Sequence, residues 1–549
     1  MSDVRRPDAR ETALEVLMQV DSANAWSDGG LKRTIAKNKL DSRDAALATR
    51  LCYGVIQNRM LLDYYIGCWC SQRPERLESV IRNILRLGGY QILFLDKVPP
   101  RAAVNEAVEM TKRHRREKAA GMVNAILRKF AANREDMPPL PKGSPAQTLS
   151  LRYSHPRWLV ERLLSLIGEE ETEAYLRMNN QVVPTTIQTN PLKGTPEELE
   201  KLLRQTGAQV EPHPWLAGCF SVSGTGDLEQ LSAFREGRFT VQDAAARLVA
   251  TVAAPAQEDR VLDVCAAPGG KSTQIAALMG GQGLLVCNEP VSSRAQILSR
   301  NVERMGVRHA VVVSALPDAL APRFPAFFDR ILVDAPCSGE GMFRRQPEAR
   351  DEWHADSPAY CADRQMDILS EAAKMLRPGG VMVYSTCTFN DTENEGVLKR
   401  FLQAHPEFSM ESFALPGLPE APNGWLHLYP HEMRGEGHFV SRLRKSADAP
   451  APQAETPRMR PARPAKTAGK NAKVPAPPVL PDVFAKGCEP ERLFSAGDAL
   501  WALPAGIDPQ QLHGLRVLRT GLLLAHAEGK RMEPDHALAM ALRPEEAAR

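Results

Sequence analysis

Between residues 260 and 445 the sequence alternates short apolar runs with amphipathic segments, and this alternation restricts the fold more than any other feature of the chain. The apolar runs are rich in Val, Ile and Leu, as buried β-strands are, and the segments between them repeat apolar residues at helical spacing. The runs are RVLDVCA, GLLVCNE, HAVVVSA, FDRILVDA and VMVYSTCTF. Strands that alternate with helices predict an α/β fold with a doubly wound, mostly parallel sheet and helices on both of its faces.

The sequence on either side of this region divides into segments of different character. Residues 1–135 carry helical periodicity throughout, and residues 150–250 mix strand-like and helical segments in a small α+β unit ahead of the main domain, which we place at residues 255–445. Residues 446–483 are rich in Pro, Ala and basic residues and lack the apolar content of a core, so we predict a disordered basic linker. Residues 484–549 return to strand-like runs and form a small C-terminal module.

A glycine-rich turn follows the first strand of the main domain, in VLDVCAAPGGKST at residues 261–273. Gly269 and Gly270 allow a ligand to approach the backbone, and the start of the next helix favours polar or anionic groups. The turn is not a Walker phosphate-binding loop, because Cys265 occupies the position of that loop's first glycine. Glu289 ends the next strand, where an acid accepts hydrogen bonds from ribose hydroxyls in nucleoside-binding α/β folds. Together these features indicate a cofactor that contains adenosine.

Two cysteines stand directly after strands of the predicted sheet. Cys337 follows ILVDA, Cys387 follows VMVYS, and Asp334 ends the first of these strands. The carboxyl ends of parallel strands meet at one edge of a sheet, so we expect these three side chains to face one crevice beside the glycine turn. A thiolate there can act as a nucleophile if its neighbours lower its pKa. The other interpretation, a buried cysteine that packs as a small apolar residue, fits Cys265 and Cys287 better than these two.

The composition excludes several other classes of protein. None of the ten cysteines lies in a CxxC pair, so we predict free thiols and no metal centre. The sequence lacks an apolar stretch of the roughly 18 residues that a membrane span requires. Its N-terminus goes directly into a helical pattern without the apolar core of a signal peptide. We therefore predict a cytoplasmic protein without membrane contact, and we expect a monomer.

Basic residues concentrate near the N-terminus. Residues 1–140 contain 24 Lys and Arg against 17 Asp and Glu, and the densest basic run is KRHRREK at residues 112–118. A basic module on a nearly neutral chain suggests a polyanionic partner such as a nucleic acid. A solvated helix end explains a single run of this kind equally well.

The motifs of the main domain, taken in order, resemble those of a known enzyme family. VLDVCAAPGGKST, DAPCSGEG and STCTF look like the motifs of the RNA cytosine carbon-5 methyltransferases that use S-adenosylmethionine, and SHPRW, TNPLK, VQDAAA and GEGHFVSRL agree with them. GEGMFRRQPEA and GEGHFV lean toward the RsmF type. ARETALEVLMQVD, AAVNEAVEMTK and GMVNAILRKF resemble the NusB-like RNA-binding domain that heads the RsmB type, and the C-terminal module resembles a shortened PUA-like RNA-binding region. The resemblance implies a Rossmann-like class I methyltransferase domain behind a NusB-like helical domain.

The resemblance also implies roles for individual residues. Cys387 would be the nucleophile that attacks carbon 6 of cytosine and so makes carbon 5 reactive. Asp334 would hydrogen-bond the base edge and stabilise charge on ring nitrogen 3, and Cys337 would release the product by general-base elimination. Glu289 and Asp334 would also contact S-adenosylmethionine. The other cofactor-binding residues would be Cys265, Ala266, Ala267, Pro268, Gly269, Gly270 and Lys271. Where the family often has an acid or Asn beside the adenine, this sequence has Ser314.

The expected activity is therefore methylation of carbon 5 of cytosine in RNA, with 16S ribosomal RNA as the expected substrate and transfer RNA as the alternative. A DNA cytosine methyltransferase is a rival on chemistry alone, because its nucleophile is the cysteine after a proline, here Cys337. The NusB-like and PUA-like modules favour RNA over DNA. A non-catalytic RNA-binding assembly factor is a rival from another class, and the presence of Cys387, Cys337, Asp334 and the glycine turn weighs against it.

Overall fold

The computed structural model describes residues 7–23, 28–181, 185–345, 353–433, 435–450, 492–528 and 531–542. The chain forms two compact units. The first comprises residues 1–182 and 343–352, and the second comprises residues 183–342 and 353–549. The predicted basic linker lies outside the described residues from residue 451 onward. None of the described helices combines the length and apolar character needed to cross a membrane.

The first unit is helical, as the sequence predicted. Its helices are α1 Ala9–Ala23, α2 Asp28–Asn38, α3 Ser42–Gln57, α4 Arg59–Trp69, α5 Ser79–Phe94, α6 Pro100–Arg113, α7 Glu117–Ala132, α8 Pro145–Tyr153 and α9 Arg157–Asn179. Asp41 caps α3 by accepting a hydrogen bond from the backbone of Asp44. Asn58 leaves helical geometry and separates α3 from α4. Helix α5 is buried at the centre of this unit's core.

The basic run at residues 112–118 is largely neutralised by acids from its own helix, from α1 and from the loop before α5. The Nε of Arg113 lies 2.7 Å from Glu11 Oε1, and its Nη2 lies 2.6 Å from Glu106 Oε1. Arg116 forms a bidentate pair with Glu78 on the loop before α5. These contacts favour the interpretation of this run as a solvated helix end over a dedicated polyanion site, because paired guanidinium groups have less charge to offer a phosphate.

The second unit begins with a small antiparallel sheet of strand order β2-β3-β1-β4. Its elements are β1 Thr185–Thr189, α10 Pro196–Gln205, β2 Gln209–Pro212, β3 Cys219–Ser223, α11 Ser232–Arg235 and β4 Phe239–Val241. Thr195 and Glu198 form a reciprocal capping box that starts α10. Within residues 150–250 the sequence predicted β1, β3 and α10 but not the shorter β2 and β4.

The main sheet has the predicted parallel core. Its parallel strands are β5 Arg260–Asp263, β6 Leu284–Asn288, β7 Ala310–Ser314, β8 Phe328–Asp334 and β9 Leu376–Thr386, in the spatial order β9-β8-β5-β6-β7. Neighbouring residues on these strands face opposite cores: Val261 packs in one and Leu262 in the other. The helices connected to this sheet are α12 Ala244–Ala253, α13 Gly270–Leu278, α14 Ser292–Arg304, α15 Pro317–Leu320, α16 Ser357–Met375 and α17 Glu395–Ala404. The doubly wound α/β prediction is confirmed.

Antiparallel strands extend the sheet beyond β9. Strand β12 pairs with β9 and is flanked by β10 and β11. These elements are β10 Phe408–Met410, β11 Trp425–Leu428, α18 Pro430–Met433 and β12 His438–Lys445.

The C-terminal module completes the opposite edge of the sheet, which the sequence did not predict. Its own antiparallel sheet has the order β13-β14-β16-β17, but β15 leaves it and pairs with β7 of the main sheet. The elements are β13 Leu493–Ala496, β14 Ala499–Ala502, β15 Arg516–Thr520, β16 Leu522–Glu528, β17 Arg531–Pro534 and α19 His536–Ala541. The nearby Leu512 is buried in the core of the main domain, so this module and the main sheet share apolar packing.

Deleting the chain from Arg492 onward should destabilise the main domain, because β7 loses its backbone partner and the apolar surface beneath Leu512 and Leu518 is exposed. Loss of the buried Leu512 and the partly buried Leu518 costs about 3 kcal/mol. At roughly 2–4 °C per kcal/mol for a domain of this size, the melting temperature should fall by about 6–12 °C in calorimetry. As a control, Leu524→Ala disturbs only the separate C-terminal core. Equal melting temperatures for the full and shortened chains would show that β15 adds no stability.

Candidate active site

The carboxyl edge of the parallel sheet gathers most of the polar residues that the sequence analysis selected. Asp263 ends β5, Glu289 follows β6, Asp334 ends β8 and Cys387 follows β9. Strands β8 and β9 are paired so that Asp334 lies opposite Ser385. The loop after each of these two strands therefore starts from the same level of the sheet, although the two cysteines are 50 residues apart in sequence.

The glycine turn lies between β5 and α13 and is held from two sides. Its backbone joins the neighbouring strand through the Ala266 N–H, which donates to Asn288 O at 2.8 Å. Side chains of α14 hold the far side: Arg294 donates to Ala267 O at 3.0 Å and Asn301 donates to Pro268 O at 2.9 Å. Gly269 has a φ of +112°, a value that L side chains rarely adopt, so the turn requires glycine there.

Lys271 and Asp334 form an ion pair at the centre of the crevice. Lys271 Nζ lies 2.7 Å from Asp334 Oδ2, and the Ser385 hydroxyl donates to Asp334 Oδ1 at 2.7 Å. Burial alone would raise the pKa of the Asp334 carboxyl, but the Lys271 ammonium outweighs it and the pKa is lowered. For Lys271, burial would lower the pKa, and the attraction of Asp334 raises it instead. Both groups are therefore ionised at neutral pH.

The two thiols that follow β8 and β9 are in direct contact. The Sγ atoms of Cys337 and Cys387 lie 3.1 Å apart, and the Cys387 backbone N–H points at Cys337 Sγ at 3.3 Å. The pKa of the Cys337 thiol is raised well above its usual value, first by its hydrogen bond to Cys387 and then by burial. Cys337 consequently stays protonated and can donate its S–H to Cys387.

The other residues predicted for the cofactor site lie along the same edge. Glu289 is almost fully buried, accepts a hydrogen bond from the Val291 N–H at 2.9 Å and lies 3.4 Å from Arg294. Cys265 sits in the glycine turn, and burial raises the pKa of its thiol so that it remains neutral. Ser314, at the end of β7, donates its hydroxyl to Pro290 O at 3.3 Å, which places it beside the turn that carries Glu289.

Several residues that sequence reasoning did not select also take part in this site. Asp263 accepts a hydrogen bond from Ser272 at 2.6 Å, while its Oδ1 is buried and has no partner among the described residues. Burial raises the pKa of this carboxyl to about 7. Burial and the nearby Lys271 lower the pKa of His438 to about 4, so this imidazole is neutral. The position of Asp263 at a strand end was a usable signal, whereas His438 comes from an antiparallel strand whose place in the sheet the sequence did not predict.

The polar groups of the crevice fit a nucleoside cofactor that carries a positive charge. Glu289 offers a carboxylate to hydroxyl groups at one strand end, and the unpartnered Oδ1 of Asp263 faces the same edge. The glycine turn presents backbone rather than side chains beside them. Acids at successive strand ends favour ribose hydroxyls and a cationic group over a phosphate.

Family models match most of the chain. A 16S rRNA methyltransferase RsmB/F model matches residues 250–444, and a NusB family model matches residues 7–132. A ferredoxin-like domain of the RsmF/B-like methyltransferases matches residues 155–229, and the RsmF rRNA methyltransferase first C-terminal domain matches residues 481–542. The NusB-like resemblance at the N-terminus is confirmed, and the C-terminal module matches a domain of the RsmF type.

Individual relatives agree with these models. The chain is 33% identical over 450 residues to the probable ribosomal RNA small subunit methyltransferase B of Bacillus subtilis, an alignment that spans 80% of this chain and all of the relative. It is 31% identical over 418 residues to ribosomal RNA small subunit methyltransferase B of Salmonella typhi, with 74% and 92% of the two chains covered. The crystal structure of PH0851 superposes with a TM-score of 0.64 at 26% identity, over 80% of this chain and 99% of that one.

The raised pKa of Asp263 gives the stability of the protein a specific pH dependence. The folded protein keeps this carboxyl protonated up to about pH 7, whereas an unfolded chain releases the proton near pH 4. Between these values the native state binds more protons, so the free energy of unfolding falls as the pH rises, by a few kcal/mol at most. Asp263→Asn should therefore make this fall shallower in urea unfolding measured between pH 4 and pH 8.

The matched control is Asp318→Asn, which removes an exposed carboxyl from the same domain. It should reproduce the wild-type dependence. An Asp263→Asn protein whose unfolding free energy falls as steeply as the wild type would show that Asp263 is ionised in the native state.

Proposed function

The chain belongs to the RsmB/F family of 16S rRNA methyltransferases, and from this premise we propose that it methylates carbon 5 of a cytosine in ribosomal RNA through a covalent cysteine–cytosine intermediate. The single observation that supports this chemistry best is the contact of 3.1 Å between the Cys337 and Cys387 sulfurs beside Asp334. Two thiols and a carboxylate at one edge of the sheet match a reaction that needs both a nucleophile and a later base.

Cys387 is the proposed nucleophile. Carbon 5 of cytosine is too weakly nucleophilic to accept a methyl group, and addition of a thiolate to carbon 6 turns the ring into an enamine whose carbon 5 is reactive. Cys337 supports this step, because its raised pKa keeps its proton available for a hydrogen bond to the Cys387 thiolate. The same hydrogen bond disfavours the charged form of Cys337.

Asp334 and Lys271 share the task of holding the base and stabilising its charge. Because Asp334 is ionised, its carboxylate accepts hydrogen bonds and is suited to the exocyclic amino group of cytosine rather than to an electron-rich ring nitrogen. The positive charge that offsets electron density on the ring comes instead from the Lys271 ammonium, 2.7 Å from Asp334 Oδ2. This assignment divides between two residues the role that the resemblance had given to Asp334 alone.

Cys337 is the proposed base for product release. Its pKa is raised mainly by the hydrogen bond to Cys387. Once the Cys387 sulfur is bonded to carbon 6 it carries no negative charge and no longer needs this hydrogen bond, so the pKa of Cys337 falls. Cys337 then loses its own proton to solvent, and its thiolate removes the proton from carbon 5. The bond between carbon 6 and the Cys387 sulfur breaks, Cys387 leaves as a thiolate, and the aromatic ring is restored.

S-adenosylmethionine is the proposed methyl donor, and when bound it supplies an electrophilic methyl group on its sulfonium. Glu289 would hold the ribose hydroxyls, and residues 265–271 would line the methionine end. The ionised Asp334 would supply the negative charge that faces the sulfonium. We further propose that the helical domain matched by the NusB family and the C-terminal module bind the RNA outside the active site, in a cytoplasmic monomer.

The proposed function is tested on ribosomal RNA itself. Small subunits from cells that lack the gene should accept one methyl group per rRNA from labelled S-adenosylmethionine when the purified enzyme is added. Bisulfite sequencing should then find one cytosine protected in wild-type rRNA and in treated rRNA, and unprotected in rRNA from the deletion strain. Protection of a transfer RNA cytosine instead would identify transfer RNA as the substrate, and labelled rRNA without protection would place the methyl group at another position.

Substitutions of the two cysteines should have different effects, because attack precedes methyl transfer and elimination comes last. Cys387→Ala should form no covalent adduct and transfer no methyl group. Cys337→Ala should attack and methylate but release product at least about 100-fold more slowly, given the usual contribution of a general base. The stalled enzyme should appear as a slowly migrating, nuclease-sensitive band on a denaturing gel.

Cys361→Ala is the matched control, since this thiol is half-buried on α16 and belongs to neither loop. It should methylate RNA at the wild-type rate without an adduct band. If Cys387→Ala accumulates the adduct and Cys337→Ala does not, the two roles are reversed and the arrangement is that of the DNA enzymes.

A further inference from the structure

A fully buried carboxylate lies between the loops that carry the two thiols. Glu393 follows Cys387 by six residues and has no solvent exposure. Its Oε2 accepts hydrogen bonds from the Ser338 backbone N–H at 3.0 Å and from the Gln365 side chain at 2.9 Å, and its Oε1 accepts one from Asn390 at 2.6 Å. All three partners are N–H donors, so the contacts suit the ionised, acceptor-only form of the acid.

These hydrogen bonds link both loops to one helix. Ser338 is the residue directly after Cys337, and Asn390 is three residues after Cys387. The amide of Gln365, on α16, also donates to Pro336 O at 2.9 Å, on the other side of Cys337. The backbone on both sides of Cys337 is therefore fixed by Glu393 and its partner Gln365.

Tyr384 holds this arrangement in one orientation. Its hydroxyl donates to Gln365 Oε1 at 2.9 Å, which directs the amide nitrogen of Gln365 toward Glu393 and Pro336. The same hydroxyl contacts the backbone carbonyl of Glu393. Ser338 and Thr388 add a direct link between the loops through their hydroxyls, 3.0 Å apart. Buried networks whose members are all satisfied hold their geometry closely.

From these contacts we infer that Glu393 is a positioning residue that ties the Cys337 loop to the Cys387 loop and fixes the approach of the two sulfurs. The inference rests on the proposed function, in which the two thiols act in sequence on one base. Glu393 does not touch the base. It acts through the Ser338 N–H and Asn390, and its charge adds to the hydrogen bond from Cys387 and to burial in raising the pKa of Cys337.

The experiment replaces Glu393 by Gln and by Asp. Glu393→Gln keeps the shape but removes the charge and turns one acceptor into a donor, so at least one of the three N–H partners loses its acceptor. We expect kcat for methylation to fall by about 10–100-fold, as a displacement of about 1 Å produces, with the KM for RNA within about 2-fold of wild type. A covalent adduct should accumulate, because release depends on Cys337. Glu393→Asp, which keeps the charge, should recover part of the rate.

Thiol alkylation provides a readout that does not depend on the reaction. Iodoacetamide labelling of Cys337, followed by mass spectrometry across a pH series, should reach half its maximum at a lower pH in Glu393→Gln than in wild type, because a like charge that raises the pKa of Cys337 has been removed. Glu395→Gln is the matched control: Glu395 bonds His427 on β11 at 2.7 Å and contacts neither cysteine loop. It should leave the labelling profile and kcat unchanged.

The outcomes separate the inference from the proposed function. Wild-type enzyme that forms no cysteine–RNA adduct and places no methyl group on carbon 5 would overturn the proposed function. Wild-type activity with an unchanged kcat and labelling profile in Glu393→Gln would overturn only the positioning role. If Glu393→Gln fails to fold, Gln365→Met tests the same network, and it should lower kcat and accumulate adduct; wild-type behaviour of that variant would overturn the inference.

Discussion

The parallel register of β8 and β9 is the constraint on which the candidate active site depends. Asp334 lies opposite Ser385, and each strand ends within three residues in a cysteine loop. Because the ladder is continuous from Arg330–Val381 to Asp334–Ser385, the two loops cannot slide past each other without breaking the centre of the sheet. The contact between the two sulfurs follows from this register, and the buried contacts of Glu393 then refine it.

The charges and the burial of the crevice decide which of its groups are ionised. Two acids, Asp334 and Asp263, act on the Lys271 ammonium, and Asp334 lies 2.7 Å from it. Burial leaves Asp263 with a pKa near neutrality, whereas Lys271 keeps Asp334 ionised. In such a site the pKa values of Cys265 and Cys337 are raised, so both thiols are neutral before substrate and cofactor bind. Neutral thiols are poor targets for oxidation, so Cys265 is protected mainly by burial, and Cys337 by its hydrogen bond to Cys387 and by burial.

The parts of the molecule that depend on local sequence pattern could be predicted from the sequence. Periodicity and strand-end residues predicted the parallel sheet, the glycine turn and the crevice that contains Asp334, Cys337 and Cys387. Sequence reasoning missed Glu393 and Gln365, because a buried polar residue is identified by partners that are distant in sequence. Sequence alone left two interpretations of the run at residues 112–118 open, because Glu11 and Glu78, which pair with it, lie far from it in the chain. The role of β15 was missed because a short apolar strand carries no information about which sheet it joins.

The pairing of β15 with β7 imposes an order on biosynthesis. Val311 finds its partner Thr520 only after ~200 further residues have been translated, which takes roughly 10–40 s at the usual elongation rates. During that interval the outer edge of β7 presents unpaired backbone groups, the feature that most readily templates association with other nascent chains. The segment that contains β15 therefore protects this edge of the sheet. A chain released by a ribosome that stalls before β15 keeps β7 as an unpaired edge strand.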